Sequence, residues 1–490
     1  MKKTAYILLT IFFISMTFQL TACKKNELLT NDTKRDVRAV WITTVFNKDW
    51  PSTKNDMPAQ KKEFITILDD VSSLGFNTII VQVRPTGDAF YKSSINPWSE
   101  YLTGVQGKDP GYDPLKFMIE EAHKRNLEIH AWLNPYRITI KENNENNLAD
   151  NNFALKHPDL LIKHDNKLYY NPGLPEVRKH VVDTVKEIVQ NYDIDGIHFD
   201  DYFYPGKDID DKQAYTLYAN GKNLDDFRRD CVNQLVAEVN NAIKTTNPDV
   251  KFGISPAGVW KNKSNDPTGS DTKGYETFYE IYCDTRAWIQ NGWIDYVVPQ
   301  LYWITNHNKS SYAKLVDWWN NEAKNEKPQL YIGQGIYKDD IAAEIDKQIN
   351  LNRSFKNVKG SVYFTYSDIK ENRQNIREKL KMLYKTPAIP YSMNWLDNTP
   401  PNQPQISFST DKDNKIITIF NTATETKYYL IYRFKKNEKP NFTDPTKIIA
   451  KINNSGNETE QYIDNAQGEY YYAITALTRN HVESEPAIEL

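Results

Sequence analysis

Cysteine is almost absent from these 490 residues, with three in all, at positions 23, 231 and 283. That excludes a disulfide-stapled scaffold. A single bridge between Cys231 and Cys283 is conceivable in an oxidising compartment. Both, however, lie in helix-like stretches (FRRDCVNQLVAEVNNAIK and FYEIYCDTRAWI), which predicts buried free thiols. Excess charge is missing too. The formal net charge is −3 and no basic run exceeds a lysine pair, so no concentrated cationic face is available for nucleic acid. No glycine-rich dinucleotide fingerprint follows any strand-like run, which argues against a doubly wound nucleotide fold. Beyond the N-terminal segment, no stretch is apolar enough to span a bilayer.

What is present begins at the N-terminus. MKKTAYILLTIFFISMTFQLTAC has a basic start at Lys2 and Lys3, a short apolar segment and small residues before Cys23, the pattern of an exported precursor. Leu20-Thr21-Ala22-Cys23 resembles a bacterial lipobox. Lipidation of Cys23 would tether the mature chain to a membrane surface of the cell envelope, with residues 24–37 as a polar spacer. The alternative is an uncleaved anchor or a chance cysteine. Aromatics make up 13% of the chain, and many sit beside Asn, Asp or Pro. That mixture suits a carbohydrate cleft, though Tyr and Trp also fill ordinary cores.

From Arg38 to about Tyr384, short apolar runs alternate with amphipathic helical patterns. The strand candidates are RAVWITTV, NTIIVQVRP, EIHAWLNP, GIHFDDYF, KFGISPAG, IDYVVPQLYW, LYIGQGIY and GSVYFTYSD. Among the helical patterns, KKEFITILDDVSSLG ends on Gly75 as a C-cap would. Such a succession predicts a TIM-type (β/α)8 barrel over residues 38–386. Two βα loops are long, an Asn-rich one after the third strand and KNKSNDPTGSDTKG after the fifth, and they are candidate cleft walls or lids. Residues 387–404 read as a proline-rich linker. Residues 405–490 read as short alternating strands whose ending, YYYAITALTRNHVESEPA, resembles a fibronectin type III domain. A small all-β sandwich is expected there, as a spacer or as a module for a protein or glycan partner.

The segment DGIHFDDYFYP, Asp195 to Pro205, places carboxylates at the end of a buried strand, where unpaired charge is costly. Side chains alternate across a strand, so His198, Asp200 and Tyr202 share a face while Ile197 and Phe199 share the other, and the polar set faces the lumen. The same parity collects Gln82 and Arg84, then His130, Trp132 and Asn134, then Ser255, and then Gln300 and Tyr302. Together they outline a polar pocket at the barrel mouth. Glycoside hydrolysis needs an acid for the leaving oxygen and a second carboxylate. Asp200 is the best-placed acid and Asp201 its neighbour. Asp88, Glu176 and Asp368 are further candidates for the second group or for substrate contacts. Arg84 could clamp a substrate carboxylate or pair with one of these acids. His130 and His198 with Asp200 could instead hold a metal, although the spacing is not diagnostic and no cofactor is called for.

RAVWITTVFNKDWP, NTIIVQVRPTGDAFYKSSINPWSEYLTGVQGKDPGYDPL, HAWLNPYR, NPGLPEVR, YDIDGIHFDDYFYP, FGISPAGVW and WIDYVVPQLYW together resemble the glycosyl-hydrolase-like 10 family of bacterial envelope lipoproteins. The resemblance implies a TIM-type barrel and a glycosidase, and at least one family member acts on peptidoglycan glycan strands stripped of stem peptides. Asp195, His198, Asp200 and Tyr202 also line up with the D-G-x-D-x-D-x-E strand of family 18 chitinases. Here His198 replaces the middle acid and Tyr202 stands where the acid Glu would be, so that mechanism does not carry over. The expectation is an envelope glycoside hydrolase acting on an N-acetylhexosamine polymer, with Asp200 and Asp201 catalytic and Tyr202, Trp132, Tyr302 and Trp303 as sugar platforms. A non-catalytic glycan-binding lipoprotein and a metal-dependent deacetylase are the rival readings.

Overall fold

In the computed structural model of the protein, residues 33–140, 145–412, 414–421 and 425–489 are described. The export segment and Cys23 lie outside them. The strands of the first region are β1 (Val37–Ile42), β2 (Thr78–Arg84), β3 (Glu128–Leu133), β4 (Leu161–His164), β5 (Lys167–Tyr170), β6 (Gly196–Phe199), β7 (Lys251–Ile254), β8 (Tyr296–Val297), β9 (Gln329–Gln334) and β10 (Val358–Tyr363). All but β4 and β5 pair in parallel and close in the order β1-β10-β9-β8-β7-β6-β3-β2. This is the (β/α)8 barrel expected, and each predicted run supplies one strand. β4 and β5 form an antiparallel hairpin inside the Asn-rich loop after β3.

Strand parity sorts the core into two layers. Val40, Ile79, Val81, Ile129, Ile197 and Ile254 face outward into the core shared with the helices. Inside the lumen stand Ala39, Trp41, Ile80, Trp132, Tyr296, Tyr331 and Val362. A lumen filled with rings needs gaps on the facing strands, and glycines provide them. A Cβ on Gly253 would lie 2.1 Å from Tyr296 Cζ, and one on Gly196 would lie 2.9 Å from His130 Cγ. Substituting either would displace a lumen side chain rather than fill a void. Outside, the helix Met57–Ser73 starts on Asp56, whose side chain accepts from Ala59 N–H, and is followed by Gly75 at φ +83°. Cys231 and Cys283 are buried and unbridged.

The C-terminal region is all-β. It comprises β11 (Gln405–Asp411), β12 (Asn414–Phe420), β13 (Tyr428–Lys435), β14 (Ile448–Asn453), β15 (Thr459–Asp464), β16 (Tyr470–Leu477) and β17 (Ala487–Ile488), arranged as antiparallel sheets β11-β12-β15 and β14-β13-β16-β17. The preceding stretch is not the open linker its prolines suggested. Ile389 is buried and exchanges backbone hydrogen bonds with Lys34 and Asp36, while Met393, 1% exposed, packs among the lumen residues. These residues form a strap that closes the barrel's N-terminal end.

The sandwich docks on that same end. His481 is 0% exposed and its Nε2 meets Glu128 Oε1 at 2.8 Å, at the first residue of β3. Burial pushes the imidazole down to about 3, so it donates as a neutral N–H. Burial would raise the Glu128 carboxyl, but the Lys251 ammonium bonded to it holds it well below its ordinary value. Lys427 pairs with Asp193 at 3.1 Å, Arg479 donates to the Ile194 carbonyl at 2.7 Å and Lys451 to the Asn126 carbonyl at 3.1 Å. Buried charges arranged this way must be partnered across the interface.

Candidate active site

β6 ends at Phe199, which leaves Asp200 at the C-terminal rim of the barrel. Its carboxylate, 3% exposed, accepts from Trp132 Nε1 at 3.1 Å, from Asn134 Nδ2 at 2.9 and 3.1 Å, and from the Tyr202 backbone N–H at 3.2 Å. Trp132 and Asn134 reach it together because residues two apart on a strand share a face. Burial still raises the carboxyl above its ordinary value despite these donors and the nearby Arg137. Asp201 is partly buried. Desolvation, and after it the negative charge of Asp200, push it up to about 6 against a hydrogen bond from the Gln300 side chain. Two neighbouring carboxyls in unequal surroundings separate proton-donor and charged roles.

Arg137 supplies the positive charge. Asn134 Oδ1 accepts its backbone N–H at 2.8 Å, its Nε donates to the Pro85 carbonyl at 3.0 Å, and its guanidinium lies 5.0 Å from the centre of the Tyr202 ring. Its field acts on both aspartates. The β4–β5 hairpin walls this side through a bridge between Tyr169 and Arg137. Tyr202 is 54% exposed, as a sugar platform requires. Tyr302, partly buried, packs on Phe364 at 6.0 Å and meets Tyr337 edge-on at 5.9 Å. Tyr337 and Tyr275 present exposed rings, and the charge of Asp201 acts on the Tyr275 hydroxyl.

Beneath the rim runs a column of polar side chains. The Trp41 indole can only donate, so at 3.3 Å His198 Nε2 is the acceptor, with Ser255 Oγ 3.0 Å from the same nitrogen. The proton of His198 therefore sits on Nδ1, facing Tyr296 Oη at 3.1 Å, and Tyr296 in turn donates to His130 Nδ1 at 2.7 Å. His130 Nε2 faces Glu128 Oε2 at 3.5 Å. Burial holds His198 well below its usual pKa, hence neutral.

Asp200, Asp201, Tyr202, Gln300 and Tyr302 thus come together at the mouth. Several expected contacts do not. His130 and His198 are sealed in the lumen, and Trp132 and Asn134, 6% and 0% exposed, hold Asp200 instead of offering themselves to substrate. The alternative metal set of His130, His198 and Asp200 is not assembled, because His198 uses both ring nitrogens in the column. Among the described residues no group of three or more His, Cys, Asp or Glu is placed to hold a metal ion. Arg84 is 1% exposed and faces the helix layer. The register shifts between Gln82 and Arg84, so Arg84 pairs with the outward Leu133 and donates to the Asn134 carbonyl at 2.6 Å. Asp88, 0% exposed, accepts from Thr86 N–H at 3.2 Å and is closed off from the mouth. Glu176 lies exposed in the first turn of the helix Pro175–Asn191. Trp303 faces outward against the helix-side core, the opposite side from Tyr302. Asp368 caps its own helix and pairs with Arg373 at 3.1 Å. Arg137, Tyr275 and Tyr337 were missed. The only signal for Arg137 was Asn134 three residues before it, a side chain that caps turns.

Residues 36–350 match the glycosyl hydrolase-like 10 family. Glycosyl hydrolase YngK of Bacillus subtilis (strain 168) is 45% identical over 500 residues, spanning 97% of this chain and 95% of that protein. Glycosyl hydrolase DigH of Escherichia coli (strain K12) is 37% identical over 376 residues, spanning 70% of this chain and 86% of that protein. Among solved structures, the PgaB (BpsB) glycoside hydrolase domain from Bordetella bronchiseptica aligns with a TM-score of 0.47 and 9% identity over 71% of this chain and 99% of that one, too distant to carry an argument.

Proposed function

Because the chain belongs to the glycosyl hydrolase-like 10 family, we propose that it cleaves glycosidic bonds in an N-acetylhexosamine polymer of the bacterial envelope, most specifically peptidoglycan strands stripped of their peptides, from a lipid anchor at Cys23. It is a glycoside hydrolase. The observation that carries the reading is the adjacent carboxyl pair at the barrel mouth, with Asp201 pushed up to about 6 beside an Asp200 gripped by Trp132 and Asn134. Asp201 carries the proton for the leaving oxygen, and Asp200, in its ionised form, faces the positive charge that develops at the sugar ring. Tyr202, Tyr302 and Tyr337 offer ring faces to the sugars. Arg137 takes the anion-receiving role expected of Arg84, meeting the lactyl carboxylate that peptide removal exposes. The two sheets of three and four strands support reading the terminal domain as fibronectin type III-like.

The test is to incubate the protein lacking residues 1–23 with intact and peptide-stripped peptidoglycan and identify products by mass spectrometry beside Asp200→Asn. Saccharide fragments from the stripped glycan, absent with the variant, are the expected result. Glycan pull-down by both proteins without fragments would replace the hydrolase with a binder. Fragmentation that stops on adding EDTA would point to metal chemistry instead.

A further inference from the structure

The loop after β7 carries a ring to which the proposed chemistry assigns no task. Tyr275 is 55% exposed, which for a lone surface tyrosine is ordinary. Its setting is not. The residues on either side of it are clamped by the first half of the same loop. Asn262, 6% exposed, accepts the Gly274 N–H on Oδ1 at 2.9 Å and donates from Nδ2 to the Gly274 carbonyl at 2.9 Å. Glu276 accepts the Asn262 backbone N–H at 2.7 Å and Asn265 Nδ2 at 2.6 Å. Gly274 itself admits no side chain, since a Cβ there would lie 2.8 Å from both Ser310 Oγ and Val259 Cγ2. A ring held this way has lost its backbone freedom before any ligand arrives, so a contact made on it costs little further ordering.

This loop is fastened to the one that bears the carboxyl pair. Glu280, at the end of the short helix Thr277–Glu280, meets Lys207 at 2.7 Å, and the rings of Tyr282 and Tyr204 pack edge-on at 5.2 Å. Tyr204 and Lys207 belong to the loop after β6 that opens with Asp200 and Asp201. Two exposed rings near Asp201 differ in their company. The charge of Asp201, then burial, and after them Asp200 raise the Tyr202 hydroxyl above its ordinary value, with Arg137 opposing. On the Tyr275 hydroxyl burial acts first, then the charges of Glu280 and Asp201. Tyr202 therefore lies by both carboxyls and the guanidinium, and Tyr275 by Asp201. In the proposed cleavage the C–O bond to the departing sugar breaks and its electron pair stays with that oxygen. Asp201 gives this oxygen a proton, and water supplies the oxygen that takes its place on the sugar left behind. The sugar beside the proton donor is the one that departs.

We propose that Tyr275 is the platform for the departing sugar, a hexosamine unit laid with its C–H face on the ring, and that Asn262 is the positioning residue that holds this platform, so that the enzyme selects a sugar as leaving group. The proposal rests on the glycosidase reading above. The full chain is assayed on peptide-free glycan strands and on the fluoride of the same repeat, whose leaving group is a single atom that no ring can hold. Tyr275→Ala should lower kcat/KM on strands about tenfold and leave the fluoride within about twofold. Asn262→Ala should do the same with the ring still present, and Tyr275→Phe should match the wild type on both substrates. Retained turnover of the fluoride shows that each variant is folded. Equal loss on strand and fluoride, no loss on the strand, or a Tyr275→Phe variant as weak as Tyr275→Ala would overturn the platform. Calorimetric titration of the strand into Asp200→Asn, with and without Tyr275→Ala, separates the two readings. Loss of about tenfold in affinity with Tyr275→Ala sustains the ring's hold on the sugar even if the wild type cleaves nothing, an outcome that would remove only the glycosidase reading. Affinity independent of Tyr275 overturns the platform even if strands are cleaved.

Discussion

Strand β6 carries a buried aspartate at each end, five residues apart, and the two are treated in opposite ways. Asp195, before the strand, is 0% exposed. Burial presses its carboxyl upward, but His123, 2.9 Å away, outweighs that and holds it below its ordinary range. Asp200, after the strand, is nearly as buried, has no ion pair within 4 Å among the described residues, and is raised. The contrast extends around the barrel. At the N-terminal end Glu128 is paired with Lys251 and Asp295 with Lys244. At the mouth two carboxyls sit side by side with Arg137 nearby. One end pairs its charges and so holds the domain together, and the other leaves two carboxyls without a bonded counter-ion, as the proposed chemistry requires.

The largest effect that would break this comparison is at Asp200. Asp200→Asn should lower kcat by about 10²–10⁴-fold with no loss of thermal stability, measured by glycan cleavage and by melting. At the opposite end, Glu128→Gln leaves Lys251 buried without a counter-ion. It should destabilise by about 3–5 kcal/mol, a drop of roughly 10 °C in Tm, while the folded fraction keeps its kcat. Gly253→Ala lies between the ends. By driving the Tyr296 ring from its place it should cost about 1–3 kcal/mol and lower kcat as well, since Tyr296 supports His198. The smallest effect sharpens the contrast. Burial pushes Asp201 up to about 6, so on the proposed proton-donor role kcat/KM should fall tenfold per pH unit above that value. Its folded pKa lies above the unfolded one, so ionisation at neutral pH costs stability, and Asp201→Asn should raise Tm while lowering kcat, its residual activity showing no alkaline fall. A gain in folding stability on the order of 1 kcal/mol is expected.

The rim was legible where residues lie on strands. A period of two places Trp132 and Asn134 with Asp200, and Gln300 with Tyr302, from the sequence alone. The same rule failed at Arg84, because one extra residue at Val83 reverses which side the following side chain faces. Asp88 and Arg137 sit in loops and Glu176 in the first turn of a helix, where the strand period of two does not apply, so whether each faced the cleft was undetermined. The paired floor escaped notice for a different reason. Glu128, Lys251 and His481 are spread over 353 residues, and nothing local in RNHVES marks a histidine that meets a carboxylate in another domain.

The strap and His481 also bear on what may be cut away. The family match stops at residue 350, before β10, Met393 and the sandwich, so it marks a shorter stretch than the one that folds, whereas the similarity to YngK runs over 97% of the chain. A fragment ending there lacks one barrel stave, and one ending at residue 386 still has an open lower end, with Glu128 and Lys251 wetted and the ring stack above them unsupported. The terminal domain is therefore a stopper for the enzyme as much as an appendage to it, and shuffling this hydrolase onto another carrier would require the stopper to travel with the barrel.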